Sequence, residues 1–419
     1  MYILYSTWGF NGIYIVTLLV SSLIAITLFN ILIKQNNSLV ISFIISLVAM
    51  YLSRGVFAAR NQIFSFLIFE LEIYCLNELM VNGKKRYFWI LLLLAFLLLM
   101  VHDTVYPLFF VMIMPYMAEI ILSKIFKLEN STKLEYSNLT NGKYLIILTI
   151  LALIIGLFTP IFGSAYTNLI NCMNGISTEF IQELQPVNLL TEYALLFFTF
   201  STVAILSFTK TKVKLKDVLF TFGFIIFALI AVRNLFFMYL IGIIYFSNIA
   251  IEFINTYSKN DFFKKLDNSR MLIVVISCFV SIISIKNFSV QILKEYVSSN
   301  SYPKAATEWI LENVDYKNMR IWNSFNWGSY LELNGIKVFL DSRSGMYTEQ
   351  ENKGCRVLED WSSVSLGRKR YEKVFEEYNI THVLVENNEI INNYICDDKN
   401  YEAIYQDNAF TLYEKKSGN

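Results

Sequence analysis

A chain of 419 residues that is 55% hydrophobic and only 16% charged has too few charges for a soluble globular protein, where about a quarter of residues are charged. Lipid is the solvent this composition suits. The formal net charge of +1 and the lack of any basic block leave no arm for binding nucleic acid, and no nucleic acid partner is expected.

Taken in chain order, the opening segment has neither the basic n-region nor the small-residue cleavage site of a signal peptide. A membrane span needs about 20 mainly apolar residues. Ten segments approach that description: 13–33, 38–53, 62–81, 87–103, 106–122, 143–162, 189–209, 217–233, 235–254 and 271–288. The segment 62–81 carries Glu70, Glu72 and Glu78. Glu70 and Glu78 share a helix face, which is expected to point into the bundle because a carboxylate facing lipid is costly. The 35 Phe and 26 Tyr are expected mostly as lipid-facing packing and interfacial belts.

Orientation follows from the Lys and Arg content of short loops. One set of alternate loops holds Lys34, Lys84, Lys85, Arg86, Lys124, Lys127, Lys133, Lys143, Lys210, Lys212, Lys214, Lys216, Lys259, Lys264, Lys265 and Arg270. The other holds Arg54, Arg60, Arg233 and Lys286. Sixteen against four makes the first set cytoplasmic. Residues 54–61, 103–106, 163–188 and everything after 289 are then extracytoplasmic. This topology also starts residues 1–12 outside, and the expectation is a chain short of one N-terminal helix and loop.

The expected division is a transmembrane all-α bundle over 1–289 and a soluble extracytoplasmic α/β domain over 290–419. Residues 289–419 hold 15 of the 35 Lys and Arg but 20 of the 34 Asp and Glu, so the tail is acidic. Its stretch 303–314 places Ala306, Trp309, Ile310 and Val314 at helical spacing, and 369–380 reads as a second helix. Short β-rich runs at MRIWN, KVFLD, THVLVE, EAIYQD and FTLYEK predict four or five strands with some parallel pairing. The chain has five Cys without metal-like spacing. Cys75, Cys172 and Cys278 lie in or beside apolar runs; Cys355 and Cys396 are either a pair or two free thiols. No GxGxxG, P-loop, GxSxG or HExxH occurs.

Five short motifs then carry a resemblance: ARNQIFSFLIF (59–69), MVHDTVYPLFF (100–110), FIQELQPVN (180–188), AVRNLFFM (231–238) and FNWGSYLELNGIKVFLDSRSGMY (325–347). In this order they resemble uncharacterised bacterial membrane proteins of the GT-C glycosyltransferase superfamily. The resemblance implies a polyprenyl-phosphate-linked sugar as donor, transfer at the extracytoplasmic face, and a glycan, lipid or protein acceptor. It also implies a catalytic carboxylate in the first extracytoplasmic loop, the part this chain is expected to lack. Asn61 stands for the usual Pro, and Asp103 where the relatives tend to have Gly.

Transfer from a lipid phosphate needs a carboxylate as general base and cations on the leaving phosphate. Asp103 with His102 is the candidate base pair; the alternative is an interfacial polar cap. Arg60, Arg233 and Arg54 are candidate phosphate ligands, since arginine binds phosphate oxygens as a fork; the alternatives are anchoring at the interface or pairing with a carboxylate such as Glu70. Glu179 and Glu183 could shape an acceptor site or hold a divalent cation, or simply be solvated. Asn326, Trp327, Tyr330, Asp341 and Arg343 are candidate sugar contacts, with Trp327 and Tyr330 stacking on a ring. Asp341 and Arg343, two residues apart, are rather expected to pair and hold a turn. No metal site and no further cofactor are assigned. The rival readings are a non-catalytic scaffold or accessory subunit of a cell-surface polymer assembly or export system and, less favoured, a secondary transporter, for which paired broken helices and internal repeats are missing.

Overall fold

The computed structural model describes residues 2–36, 38–58, 60–126, 133–158, 162–167, 181–257, 270–292, 302–349 and 352–416. The chain divides into two compact units, a helical one comprising Met1–Met173 and Ile181–Cys278 and a second one covering Phe279–Asn419.

In the first unit every apolar segment of the sequence carries a helix. These are α1 (Tyr2–Asn36), α2 (Leu39–Leu52), α3 (Gln62–Met80), α4 (Tyr87–Val101), α5 (Pro107–Ile125), α6 (Gly142–Ile155), α7 (Tyr193–Phe208) and α8 (Leu215–Ile230). A last run starts as a 3-10 turn, Val232–Asn234, passes through a π-helical turn, Met238–Gly242, and ends as α9 (Ile243–Tyr257). The helix α10 (Arg270–Ile292) crosses the boundary between the units. Local chemistry sets several of these limits. Gly9 sits at φ 58 and kinks α1, a conformation that needs glycine's missing Cβ. Ser38 caps α2 by accepting from the Ile41 amide, and Pro107 opens α5, where its absent N–H costs nothing.

Among the described residues, three stretches are long and apolar enough to cross a membrane: Ile3–Gln35, Asp103–Ile125 and Val232–Tyr257. Five shorter apolar helices, among them α2, α4, α6 and α7, accompany them. The outward faces are apolar too, with Trp89, Phe96, Phe200 and Phe208 all exposed. A surface of that kind on a water-soluble monomer would be an aggregation liability. The interior of this unit is aromatic: Phe66 and Phe69 meet Phe237 at 4.9 and 5.5 Å between ring centres, and Phe220 lies flat on Tyr245 at 3.9 Å. Glu70 and Glu78 are buried, as the shared face predicts, and so is Glu72.

The second unit has a four-stranded sheet ordered β3–β4–β6–β5, numbered after a minimal parallel pair in the helical unit, β1 (Leu134–Glu135) with β2 (Val213–Lys214). β3 (Ile321–Trp322) runs parallel to β4 (His382–Glu386), while β6 (Phe410–Lys415) is antiparallel to both β4 and β5 (Tyr401–Gln406). Helices α11 (Lys304–Asn313), α12 (Gly328–Leu333), α13 (Val357–Ser365), α14 (Tyr371–Glu377) and α15 (Asn392–Ile395) complete it. Two apolar clusters flank the sheet, one around Trp322, Phe375 and Val383 and one around Ile310, Trp327 and Leu412.

One expected strand is corrected. The run KVFLD forms no strand and bends at Phe339. The amide of the buried Asn323 replaces a strand neighbour: its Nδ2 donates to the Leu340 carbonyl at 2.8 Å, and its Oδ1 accepts from Phe339 N at 2.8 Å. Cys355 and Cys396 are free thiols; Cys172 lies outside the described residues.

Candidate functional site

Four of the five motifs meet at one end of the helical unit. His102 follows the last turn of α4, and its Nδ1 lies 2.9 Å from the Ser65 hydroxyl of α3. Asn61 Nδ2 donates to the Val101 carbonyl at 3.4 Å. The segment 181–188 is laid beside the junction after α8 by two backbone bonds, Val232 N to Gln185 O at 3.0 Å and Val187 N to Leu229 O at 3.3 Å. Arg60 then reaches across to Glu183, with Nη1 at 3.2 Å from Oε1 and 3.3 Å from Oε2. Arg233, half-buried, lies within electrostatic reach of the His102 ring, as does Asp103. Asp103 opens a 3-10 turn and accepts from Thr104 N at 2.8 Å through Oδ1.

The arrangement gathers two guanidinium groups, an imidazole and two carboxylates. The partner of Arg60 is Glu183, not Glu70, which sits buried near the middle of α3. The Arg60–Glu183 pair is open to solvent, 60% and 57% exposed, so it is worth at most about 1 kcal/mol and an arriving oxyanion can compete for it. Arg54 is apart: it lies over the Tyr51 ring at 4.4 Å and donates to the Tyr51 carbonyl at 3.0 Å, an anchoring geometry. Glu179 lies outside the described residues. Among those described, no group of three or more His, Cys, Asp or Glu is placed to hold a metal ion.

The tail motif is built for structure. Trp327 is 1% exposed, packs edge-on to Phe410, and its Nε1 is 3.3 Å from Glu386 Oε1, so its faces are closed to a sugar. Tyr330 is half-buried and rests against Tyr302, while Asn326 is exposed. Arg343 forks onto Asp341, with Nε at 3.0 and 2.8 Å from the two carboxylate oxygens, and also reaches Glu332 at 2.7 Å. Burial opposes the charge on Asp341, but the hydrogen bonds from Arg343 outweigh it and hold this carboxyl below its ordinary value. The pair therefore holds the turn, the role its spacing suggested.

Sequence reasoning passed over Ser65, which orients His102, and Glu332 and Asn323, which complete the tail turn. No motif marks them; only their position in the fold does. It also treated the lysines at the other end of α3 as a topology signal, although several of them line a cavity. No protein-family model matches this chain, and no curated protein matches it.

Proposed function

We propose that the protein is a GT-C-like integral membrane protein of about ten spans. In this reading it moves a sugar from a polyprenyl-phosphate donor to a glycan, lipid or protein acceptor at the extracytoplasmic face of a bacterial cell envelope. The Lys and Arg bias of the loops supports that orientation, with the Arg60 end outside and the lysine-rich end inside. The observation that carries the reading is the gathering of Asp103, His102 and Arg233 with the Arg60–Glu183 pair at one end of the helices.

In this mechanism the donor phosphate displaces Glu183 from Arg60 and is held between Arg60 and Arg233. Arginine suits the task because its planar fork matches phosphate oxygens. Asp103 accepts the proton of the acceptor hydroxyl, and Ser65 fixes the ring of His102 beside it. Asp103→Asn is expected to lower sugar transfer from a polyprenyl-phosphate donor by about 10²–10⁴-fold. Arg233→Ala should act mainly on the donor step, with membrane levels of both variants unchanged. Transfer that survives both substitutions rejects the assignment.

One observation favours the rival reading, a non-catalytic scaffold or accessory subunit of a polymer assembly or export system: Arg60 already has a carboxylate partner. A scaffold predicts that both variants support surface-polymer production as well as the parent does.

A further inference from the structure

A cavity of about 870 Å³ lies at the far end of α3 from Arg60, among α1, α3, the β1–β2 pair, α8 and α9. A 19-residue helix separates the two places by about 28 Å. The cavity does not belong to the site proposed above, and the argument for it does not depend on that reading.

Its lining has two characters. At the rim, Lys34 and Lys212 are tied to Glu78 and Glu135, each at 3.0 Å. Lys210 and Lys214 also line the cavity and are exposed, and neither has an ion-pair partner among the described residues. Deeper in, apart from Glu78 Oε2, which the Lys84 ammonium approaches at 2.6 Å, four polar atoms of lining residues are buried without a hydrogen-bond partner among the described residues: Gln35 Oε1, Asn77 Nδ2, Ser137 Oγ and Asp217 Oδ1. Asp217 is 4% exposed. Buried polar atoms are nearly always satisfied, and each one left over calls for an explanation. All four residues line the same cavity.

The deep wall thus offers two acceptors, one amide donor, one hydroxyl and the buried ammonium of Lys216, 3.2 Å from Asn77 Oδ1, and the rim offers further ammonium groups. A simple inorganic anion fits the rim but meets Asp217 inside. A cation fits Asp217 but meets the lysines. A molecule with a phosphate at one end and several hydroxyls at the other satisfies both, because hydroxyls donate to Asp217 and Gln35 and accept from Asn77. The volume falls in the range of small-molecule sites, about 300–1,000 Å³.

We propose that this cavity binds a phosphorylated polyol, with the phosphate on Lys210 and Lys214 and the hydroxyls on Gln35, Asn77 and Asp217. The same chemistry can arrive as a soluble sugar phosphate or as the headgroup of an inositol phospholipid. The test uses the purified full chain in two arms. In detergent, titration calorimetry compares glucose 1-phosphate and inositol 1-phosphate with glucose and with inorganic phosphate. In nanodiscs, native mass spectrometry compares retention of phosphatidylinositol with that of phosphatidylcholine.

Saturable binding of a phosphorylated polyol, tighter than glucose or phosphate alone, supports the proposal through the soluble source. Selective retention of phosphatidylinositol supports it through the lipid source. In either arm Lys210→Ala/Lys214→Ala should weaken binding about tenfold or more. Gln35→Leu should weaken it too, and neither change should shift thermal unfolding of the unliganded protein. Absence of binding in both arms, or binding indifferent to both variants, overturns the proposal.

Discussion

An ideal Cβ on Gly328 would stand 2.1 Å from the Leu340 carbonyl oxygen and 2.7 Å from Asn323 Nδ2. Both contacts belong to the bridge that replaces a strand neighbour for residues 339–340, so the backbone cannot yield without breaking it. Gly328→Ala should therefore destabilise the C-terminal unit by at least the roughly 1–3 kcal/mol typical of overpacking, read as a lower urea midpoint. A second prediction at this scale concerns Glu389. Burial, with the neighbouring charge of Glu386, pushes its carboxyl up to about 8. The folded state then holds this proton more tightly than the unfolded chain, so the associated stability is complete below the ordinary carboxylate range. It is lost as pH rises through about 8. Glu389→Gln, which cannot ionise, should unfold later than the parent at pH 8.5 and alike at pH 4; equal melting curves at both values refute this. Asp341 works in the other direction: its lowered pKa gives stability that is lost as pH falls through that value.

Among the elements, α8 shows how a buried helix start is satisfied in a crowded bundle. Its leading amides lack intrahelical acceptors, and no side chain of its own caps it. Glu119 of α5 supplies the acceptor instead, taking Lys216 N on Oε2 at 2.6 Å and Ser137 N on Oε1. One buried carboxylate thus links α5, α8 and the segment after β1. Glu119→Ala leaves the buried Lys216 amide unpaired, at about 1–3 kcal/mol, and the half-buried Ser137 amide as well, and should lower the melting temperature in detergent. Glu119→Gln, which keeps one acceptor oxygen, should lose about half as much. The sequence showed Glu119 only as a charge inside an apolar run. It equally misjudged KVFLD, because strand propensity describes how side chains fit a sheet and not whether a neighbouring strand is there to pair. What competed was a single asparagine amide, 14 residues before the start of that run.

At the scale of the whole molecule, the readable features were those with a period or a bulk signature. Apolar runs located α1 to α10, although α1 begins at Tyr2 rather than at 13 and α6 stops at Ile155 rather than at 162, and the charge deficit of the first 288 residues against the acidic tail anticipated two units of different character. Tertiary convergence was less legible. His102 was chosen with Asp103 as a pair at a span end, Arg233 as a scarce outer cation and Glu183 as a loop carboxylate, and their proximity came only with the fold. Trp327 was misread because exposure cannot be read from a motif, and the lysines of the cavity because topology already explained them.

The three glutamates of α3 carry one more implication, for how the chain is made. A helix bearing Glu70, Glu72 and Glu78 is a poor substrate for release into lipid on its own, since each central carboxylate costs about 2.5–3.5 kcal/mol on insertion scales. In the finished protein those groups are hidden where α3 packs against α1, α4 and α5. α1 is synthesised before α3, and α4 follows after a link of six residues. On the proposed ten-span topology, integration of α3 would be a cooperative act of a nascent hairpin against an earlier helix, timed by elongation of α4. On that topology a ribosome stalled before α4 emerges should leave α3 retained at the translocation machinery, a delay that the buried glutamates would write into the protein's biogenesis.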